Sequence, residues 1–183
     1  EMVTDIESNE LDAKLKRIEA YEERFRTTPV TYLLRRAGRT RAFAAAYRRI
    51  GPPIDRWLTR RTHGEVAARV YGIPALLLTT TGARTGELRV VPLLYVRHGR
   101  EFAVVGSNFG RPQHPAWTTN LLAHSEASIE VGSEQVSVTA ELADEAARSE
   151  VWPKFRAIYP GIDGYAARWA PRVPRVFLLR PTA

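Results

Sequence analysis

The sequence contains no cysteine and a single methionine among its 183 residues. The absence of cysteine excludes disulfides, thiolate nucleophiles and metal sites with Cys ligands. No apolar run approaches the roughly 18 to 20 residues of a membrane-spanning helix, and no signal segment opens the chain. Because 44% of the residues are hydrophobic and 26% are charged, we expect a folded protein that is soluble or peripheral, with a cytoplasmic location.

Lysine is also scarce, since nearly all of the 27 basic residues are arginines, the side chain best suited to bidentate phosphate contacts. The net charge of +7 is concentrated in residues 27–62, which carry nine arginines and one acidic residue, whereas residues 1–26 are net acidic. Residues 30–61 combine this basic face with an apolar stripe. They suit either a solvated helix packed on the domain or peripheral attachment to anionic lipid at the inner face of the cell membrane. A nucleic-acid partner is not expected, because no recognition motif is present.

The pattern of apolar residues changes from helical to strand-like near residue 74. We predict an exposed N-terminal helix over 8–26, a short helix from Pro115 to Ala123, a helix from an N-cap at Asp144 to about Tyr159 that Pro153 kinks or restarts, and a further short helix over 161–170. Six strands are predicted at 75–80, 88–96, 101–106, 127–131, 135–141 and 175–179. Short connections favour a small, mostly antiparallel α+β barrel over a parallel sheet. We therefore expect a helical extension at 1–62 and a barrel domain at 63–183.

Residues 79–92 (TTTGARTGELRVVP) concentrate hydroxyls, glycines and arginines at the end of a predicted strand. Glycine lets backbone N–H groups approach an anion, and Arg84 and Arg89 supply charge-assisted hydrogen bonds. The segment is not a Walker A loop, because no lysine follows Gly86. An ordinary polar turn with solvated arginines would have the same composition, so the segment predicts an anion site only in combination with other signals.

Other candidate residues point away from hydrolytic and metal chemistry. Residues 106–110 (GSNFG) lack the spacing of a nucleophile elbow, so Ser107 is expected to donate a hydrogen bond or to lie in a solvent-facing turn. The four histidines show no metal-ligand spacing, and we assign no metal; His98 and His124 are expected at the surface. Late aromatic residues, including Tyr159 and Tyr165, either line a pocket or pack a helix onto the barrel.

Four motifs, in order, resemble the deazaflavin (coenzyme F420)-dependent nitroreductase family. They are LLLTTTGARTGELRVVPL at 76–93, VVGSNFG at 104–110, HPAWTTNL at 114–121 and VWPKFRAIYP at 151–160, the last followed by Tyr165. The resemblance spans roughly residues 74–181, and the first 50 residues add nothing to it. It implies a split β-barrel like that of flavin mononucleotide-binding reductases, which agrees with the six predicted strands.

The resemblance also implies a cofactor, the reduced deazaflavin F420, which carries an anionic phosphate and polyglutamate tail. By position, Arg84, Thr85 and Arg89 would meet the anionic part. Other implied cofactor contacts lie on the neighbouring strands and the short helix: Val90, Val91, Val105, Gly106, Ser107, Asn108, Ala116, Trp117, Thr118, Thr119 and Asn120. The resemblance implies catalytic roles for Ser107 and Tyr159 as hydrogen-bond donors to the acceptor, and for Tyr165 as a lid residue.

The implied activity is hydride transfer from the reduced deazaflavin to a quinone, an activated alkene or a nitroaromatic. Menaquinone is one candidate acceptor, and a homodimer is a candidate assembly. Leu94 and Ile162 stand where nitroimidazole-active members carry tyrosines, and Tyr95 is displaced by one position so that it faces the other side of its strand. These departures put prodrug nitroreduction in doubt. A split barrel that binds flavin mononucleotide or another cofactor, without F420-dependent activity, is the alternative.

Overall fold

The computed structural model describes residues 2–26, 75–108, 111–158, 162 and 173–182. Within them the chain forms three helices and six strands, and most bounds lie within two residues of the prediction. The elements are α1 (Met2–Arg26), β1 (Ala75–Thr81), β2 (Leu88–His98), β3 (Glu101–Val105), α2 (Ala116–Ala123), β4 (Glu126–Val131), β5 (Glu134–Leu142), α3 (Glu145–Ile158) and β6 (Val176–Pro181).

The strands close into a barrel in the order β1-β2-β3-β6-β5-β4, and every neighbouring pair is antiparallel. This confirms the predicted antiparallel α+β barrel. Because adjacent strands alternate in direction, the barrel has two distinct ends. The upper end holds the 82–87 turn, the chain after β3, α2 and the start of β6, whereas the lower end holds the turns at residues 99–100 and 132–133. Predicted binding segments all fall at the upper end.

Alternate side chains of each strand point into the barrel, as the period of two requires. On β1 the inward residues are Leu76, Leu78 and Thr80, all essentially inaccessible to solvent. Tyr95 on β2 is also inward and buried, while Leu94 is half-buried and faces outward. The predicted opposite orientation of these two residues is therefore confirmed. Barrel closure thus places one hydroxyl, that of Thr80, among apolar side chains near the upper end.

Helix α3 covers the outside of β2, β3 and β6, where Val151 and Phe155 pack into a second apolar cluster with Ile162. The predicted N-cap is confirmed, because Asp144 Oδ1 accepts a 2.8 Å hydrogen bond from the backbone N–H of Ala147. The helix continues through Pro153, so of the two predicted alternatives, a kink or a restart, the restart is wrong. A proline within a helix removes one backbone hydrogen bond, and packing of the apolar face on the barrel offsets that loss.

Helix α1 lies across the lower end of the barrel, and the expectation that it is exposed was wrong. Leu15 and Ile18 belong to the same buried cluster as the barrel interior, and Ile18 is 0% exposed. Arg17 forms a bidentate pair with Glu134 at 2.8 and 2.9 Å, and this guanidinium holds the pKa of Glu134 below its usual range. The helix therefore contributes core side chains as well as a charged outer face.

His98 differs from its predicted place in a surface turn. It is the last residue of β2, its side chain is 22% exposed, and its Nε2 lies 3.3 Å from Glu150 Oε2 of α3. The strand is longer than predicted because Gly99, with a φ of +59°, makes the turn one residue later. His124 follows α2 and is exposed, as expected.

Several predictions fall outside the described residues: the Arg-rich segment 30–61, most of the short helix over 161–170, Tyr159 and Tyr165, and the proposed domain boundary at 62/63. Among the residues that the structure describes, no helix combines the length and apolarity needed to cross a bilayer.

Candidate functional site at the upper end of the barrel

The turn between β1 and β2 is held in shape by its own backbone. Gly82 N donates to Glu87 O and Gly86 N donates to Gly82 O, both at 2.8 Å. Gly86 has a φ of +69°, a conformation that disfavours any side chain, and nothing lies within 4 Å of the point where a Cβ would sit. Thr85 Oγ1 accepts a 3.3 Å hydrogen bond from Glu87 N. The turn is thus ordered while its outer surface is open to solvent.

The cations of this segment project from the turn and from the adjoining part of β2. Arg84 is exposed, and Arg89 is 60% exposed with its Nη2 2.5 Å from Glu87 Oε2. Strand β3 pairs with β2 only from Tyr95 onward, so among the described strands residues 88–94 of β2 pair with β1 alone. Val90 on this projecting part is 62% exposed. The segment presents positive charge and apolar surface together.

Helix α2 is joined to this turn by a buried polar cluster. The side-chain amide of Asn120 accepts a 3.0 Å hydrogen bond from Ala83 N and donates a 3.0 Å hydrogen bond to Thr80 Oγ1. Asn120 is 7% exposed and Thr80 is fully buried. Polar groups at such depth need hydrogen-bond partners, and here they partner one another. The cluster therefore links the start of the turn to the last turns of α2.

The chain leaving β3 packs closely against the first turn of α2. Gly106 N donates to Arg175 O at 2.8 Å, and a Cβ at Gly106 would lie 2.8 Å from Thr118 Cγ2. Thr118 Oγ1 donates to Pro115 O at 2.8 Å and accepts from Arg175 Nη1 at 3.2 Å. Only glycine permits this close approach. The start of β6 is thereby drawn into the same region as β3 and α2.

Asn108 adopts a left-handed backbone conformation with a φ of +46°, and its Nδ2 donates to Gln113 O at 2.8 Å. Such a conformation is uncommon outside glycine, although asparagine tolerates it better than most residues. Ser107 N donates to Val105 O at 3.0 Å, so the chain turns immediately after the strand. The Ser107 and Asn108 side chains are both half-buried at the rim of the barrel.

The predicted cofactor residues divide into three groups by burial. Those open to solvent are Arg84, Thr85, Arg89, Val90, Ala116 and Thr119; those half-buried are Val91, Val105, Ser107 and Asn108; those buried are Gly106, Trp117, Thr118 and Asn120. Trp117 is 6% exposed, and its ring centroid lies 5.9 Å from that of Phe177 in the core. The buried members shape the upper end from beneath, whereas the open members can touch a ligand directly.

Two residues that the structure brings to this end of the barrel, Thr80 and Arg175, were not among the predicted site residues. Thr80 carried a detectable signal, because it continues the inward positions of Leu76 and Leu78 and a hydroxyl placed there needs a partner. No sequence signal pointed to Arg175, because its contacts with Thr118 and Gly106 join positions far apart in the chain.

The upper end has the electrostatic character of an anion site with an apolar margin. Arg84, Arg89 and Arg175 lie on segments that meet there; the turn itself holds one carboxylate, that of Glu87, and Glu126 is exposed at the start of β4. Helix α2 has no acidic residue in its first turn and no side chain capping its N-terminus, so its dipole is not neutralised locally. These donors suit phosphate or carboxylate oxygens rather than a cation.

A family model and individual related proteins point to the same family. Residues 54–180, more than two thirds of the chain, match the family model described as F420H(2)-dependent quinone reductase. An F420H(2)-dependent quinone reductase of Mycobacterium tuberculosis strain H37Rv is 41% identical over 104 residues, covering 48% of this chain and 70% of that protein.

Two solved structures share the fold at detectable sequence identity. One, described as an F420-H2 dependent reductase (FDR-A), has a TM-score of 0.54 and 32% identity, covering 58% of this chain and 94% of the other. A second, described as a domain-swapped dimer, has a TM-score of 0.54 and 30% identity, covering 70% and 99%. The family resemblance and the split-barrel fold are therefore confirmed. The chain belongs to the F420H(2)-dependent quinone reductase family and is an oxidoreductase whose cofactor is reduced coenzyme F420.

Proposed function

We propose that the upper end of the barrel binds reduced coenzyme F420 and that the protein passes its hydride to an electron-poor acceptor of the quinone class. One observation carries this proposal: three segments separated in sequence, residues 83–91, 105–108 and 116–120, meet at one end of a closed barrel. The family resemblance implies that residues within each segment contact the cofactor. Activated alkenes and nitroaromatics are further acceptors of the same electronic type.

The donor set of the 82–89 segment fits the anionic portion of the cofactor. Arg84 and Arg89 are exposed cations, and Thr85 adds a hydroxyl on the same open turn. A phosphate or carboxylate held by two guanidinium groups gains charge-assisted hydrogen bonds that are about twice as strong as neutral ones. The unneutralised N-terminus of α2 adds to the same positive potential. We assign phosphate and tail binding to this surface.

Reduced coenzyme F420 supplies a hydride when it is bound, because its deazaflavin ring favours two-electron over one-electron chemistry. The chain's own residues position the reactants rather than activate them. Val105 to Asn108 leave β3 at the rim and would flank the ring system, and Ser107 would donate a hydrogen bond to the acceptor oxygen. We also propose the hydrogen-bonding role of Tyr159 and the lid role of Tyr165, both outside the described residues.

The decisive experiment is a titration of the purified protein with coenzyme F420 and, separately, with flavin mononucleotide, followed by intrinsic tryptophan fluorescence. Oxidation of the reduced deazaflavin is then measured with a menaquinone analogue and with a nitroimidazole. Selective binding of the deazaflavin with quinone-dependent oxidation supports the proposal. Binding without oxidation by the quinone would refute the acceptor assignment and leave the cofactor site standing.

Arginine variants test where the anionic part binds. Replacing Arg84 and Arg89 by alanine is expected to weaken F420 binding by at least about a hundredfold, because each charge-assisted hydrogen bond contributes roughly 1.5 to 3 kcal/mol. Arg17→Ala is the matched control, because Arg17 lies at the lower end and pairs with Glu134. Equal losses in the double variant and in the control would refute the assignment of the 82–89 segment.

Two further partners are proposed on narrower grounds. Self-association as a homodimer is supported by the related structure described as a domain-swapped dimer, and light scattering coupled to size exclusion tests it. Peripheral attachment through residues 30–61 is supported by their arginine content and by the apolar stripe in their sequence. Co-sedimentation with vesicles that contain or lack anionic lipid tests the attachment; equal recovery with both would refute it.

A further inference from the structure

We propose that Asn120 is a positioning residue that locks the anion-binding turn to helix α2, rather than a direct cofactor contact. The proposal rests on the assignment of the 82–89 segment to the anionic part of the cofactor. Both polar atoms of the Asn120 amide are engaged within the protein, at 3.0 Å from Ala83 N and at 3.0 Å from Thr80 Oγ1. The residue is 7% exposed, which leaves little surface for a ligand.

The orientation of this amide follows from its partners. A backbone N–H can only donate, so the atom facing Ala83 must be the oxygen and the atom facing Thr80 must be the amino group. Thr80 Oγ1 then accepts from Asn120 and lies 3.5 Å from Arg89 O, which it faces as a donor. The Asn120 side chain thus joins the beginning of the turn at Ala83 to Thr80 on β1, whose hydroxyl in turn faces the backbone of Arg89 on β2.

The position of the bonds along the chain explains their effect on binding. Ala83 immediately precedes Arg84, and Thr80 faces Arg89 across the β1–β2 ladder in register. Within the turn, Gly86 offers many backbone conformations, and ordering such a segment at the moment of binding costs conformational entropy. Because the hydrogen bond to Asn120 holds Ala83 in place before the ligand binds, less conformational entropy is lost on binding. Asn120 therefore acts on affinity through the orientation of Arg84 and Arg89.

The test compares three variants with a matched control. Asn120→Ala removes both hydrogen bonds, Asn120→Asp retains the acceptor for Ala83 N, and Thr80→Val removes the anchor on β1 with little change in volume. Asn9→Ala is the control, because Asn9 is an exposed asparagine on α1 at the other end of the barrel. Amide hydrogen exchange of residues 82–87 and the dissociation constant for coenzyme F420 are measured on each folded variant.

In Asn120→Ala we expect faster exchange at Ala83 and about tenfold weaker F420 binding, the equivalent of one net hydrogen bond. Asn120→Asp should recover protection at Ala83 and part of the affinity. Thr80→Val should give an intermediate loss, and it provides the same test if Asn120→Ala does not fold.

Unchanged exchange at Ala83 in both Asn120→Ala and Thr80→Val would overturn the proposal, as would faster exchange with wild-type affinity. Loss of binding in the Arg84 and Arg89 variant with wild-type binding in Asn120→Ala refutes only the positioning role. Wild-type binding in the arginine variant refutes the assignment of the turn, and the positioning role falls with it. The two failures are therefore distinguishable.

Discussion

The hydroxyl of Tyr95 donates a 2.7 Å hydrogen bond to Oε1 of Glu22, a residue 73 positions earlier in the chain. Tyr95 is fully buried within the barrel, and Glu22 lies on α1. Arg97 Nε lies 3.6 Å from the same carboxylate oxygen, so the charge of Glu22 has a counter-ion nearby. The pair connects an N-terminal helix outside the matched family segment to the interior of the barrel.

This relationship predicts a specific dependence of stability on pH. Burial, and next the carboxylate of Glu22, raise the pKa of Tyr95 above its ordinary value of 10.0, so the folded protein keeps this phenol neutral. The unfolded chain ionises it near pH 10 and then binds fewer protons than the folded chain. The free energy of unfolding should therefore lose about 1.4 kcal/mol per pH unit from this group above pH 10.

Tyr95→Phe isolates the effect. Below pH 9 the variant should be less stable by about 1 to 3 kcal/mol, because a hydrogen bond to a charged group is lost. Above pH 10 the difference from wild type should shrink, since phenylalanine does not ionise. Urea unfolding between pH 7 and 11 measures both. Parallel stability curves for the two proteins would contradict the prediction.

Helix α1 should contribute to global stability through Ile18. Ile18→Ala removes a fully buried side chain from the main cluster and should cost about 2 to 5 kcal/mol, whereas Ile18→Val should cost about 0.5 to 1.5 kcal/mol. Lys16→Ala is the control, because Lys16 is exposed on the same helix. Chemical denaturation gives the values; an Ile18→Ala cost no larger than that of the control would mean that α1 is not part of the core in solution.

Glu87 should compete with the ligand for Arg89. Their side chains lie 2.5 Å apart and are both more than half exposed, so the pair is weak and an incoming anion must share or displace it. Glu87→Gln should therefore tighten F420 binding by about threefold to fivefold, consistent with the roughly 1 kcal/mol limit of exposed pairs. Glu126→Gln removes the same charge from an exposed position at the upper end. Equal tightening in both variants would indicate a change in net charge rather than release of Arg89.

Gly106 should tolerate a side chain only if Thr118 makes room. A Cβ at Gly106 would lie 2.8 Å from Thr118 Cγ2, so Gly106→Ala should displace the chain after β3 and cost about 1 to 3 kcal/mol of stability with weaker F420 binding. Thr118→Ser removes the offending methyl group and keeps the hydroxyl that Arg175 contacts. The double variant should regain most of the loss, which thermal unfolding and F420 titration can measure. Additive losses in the double variant would contradict this account.

The strands were predictable because each carries a local signal. The short apolar run of β1, the alternating apolar residues of β5, turn glycines such as Gly132, and the Asp144 cap all act over a few residues. Such signals survive in any tertiary context that buries one face of the strand. The positive charge of the 82–89 segment is local for the same reason, since its glycines, hydroxyl and arginines lie close together in the chain.

The wrong predictions, for α1 and for His98, concern contacts between residues that are far apart in the sequence. The N-terminal helix has only a modest apolar stripe, and its burial depends on the open lower end of the barrel, which exists only after closure. His98 was assigned to a surface turn because its neighbours in the sequence give no sign of its contact with Glu150. That contact joins β2 to α3 and exists only in the folded protein. Loop-closure entropy must be overcome before such distant contacts form, so their outcome depends on the whole fold.

Periodicity and turn chemistry act over short distances, so the order of helices and strands along the chain, the barrel class and the positively charged turn follow from the amino-acid sequence. The entry of α1 into the core, and the orientation of the Asn120 amide toward Ala83 and Thr80 rather than solvent, arise only from the folded arrangement. The physical reason is the same in both cases: a buried polar or apolar group is stabilised by whichever partner chain closure brings within contact, and sequence separation does not limit that choice.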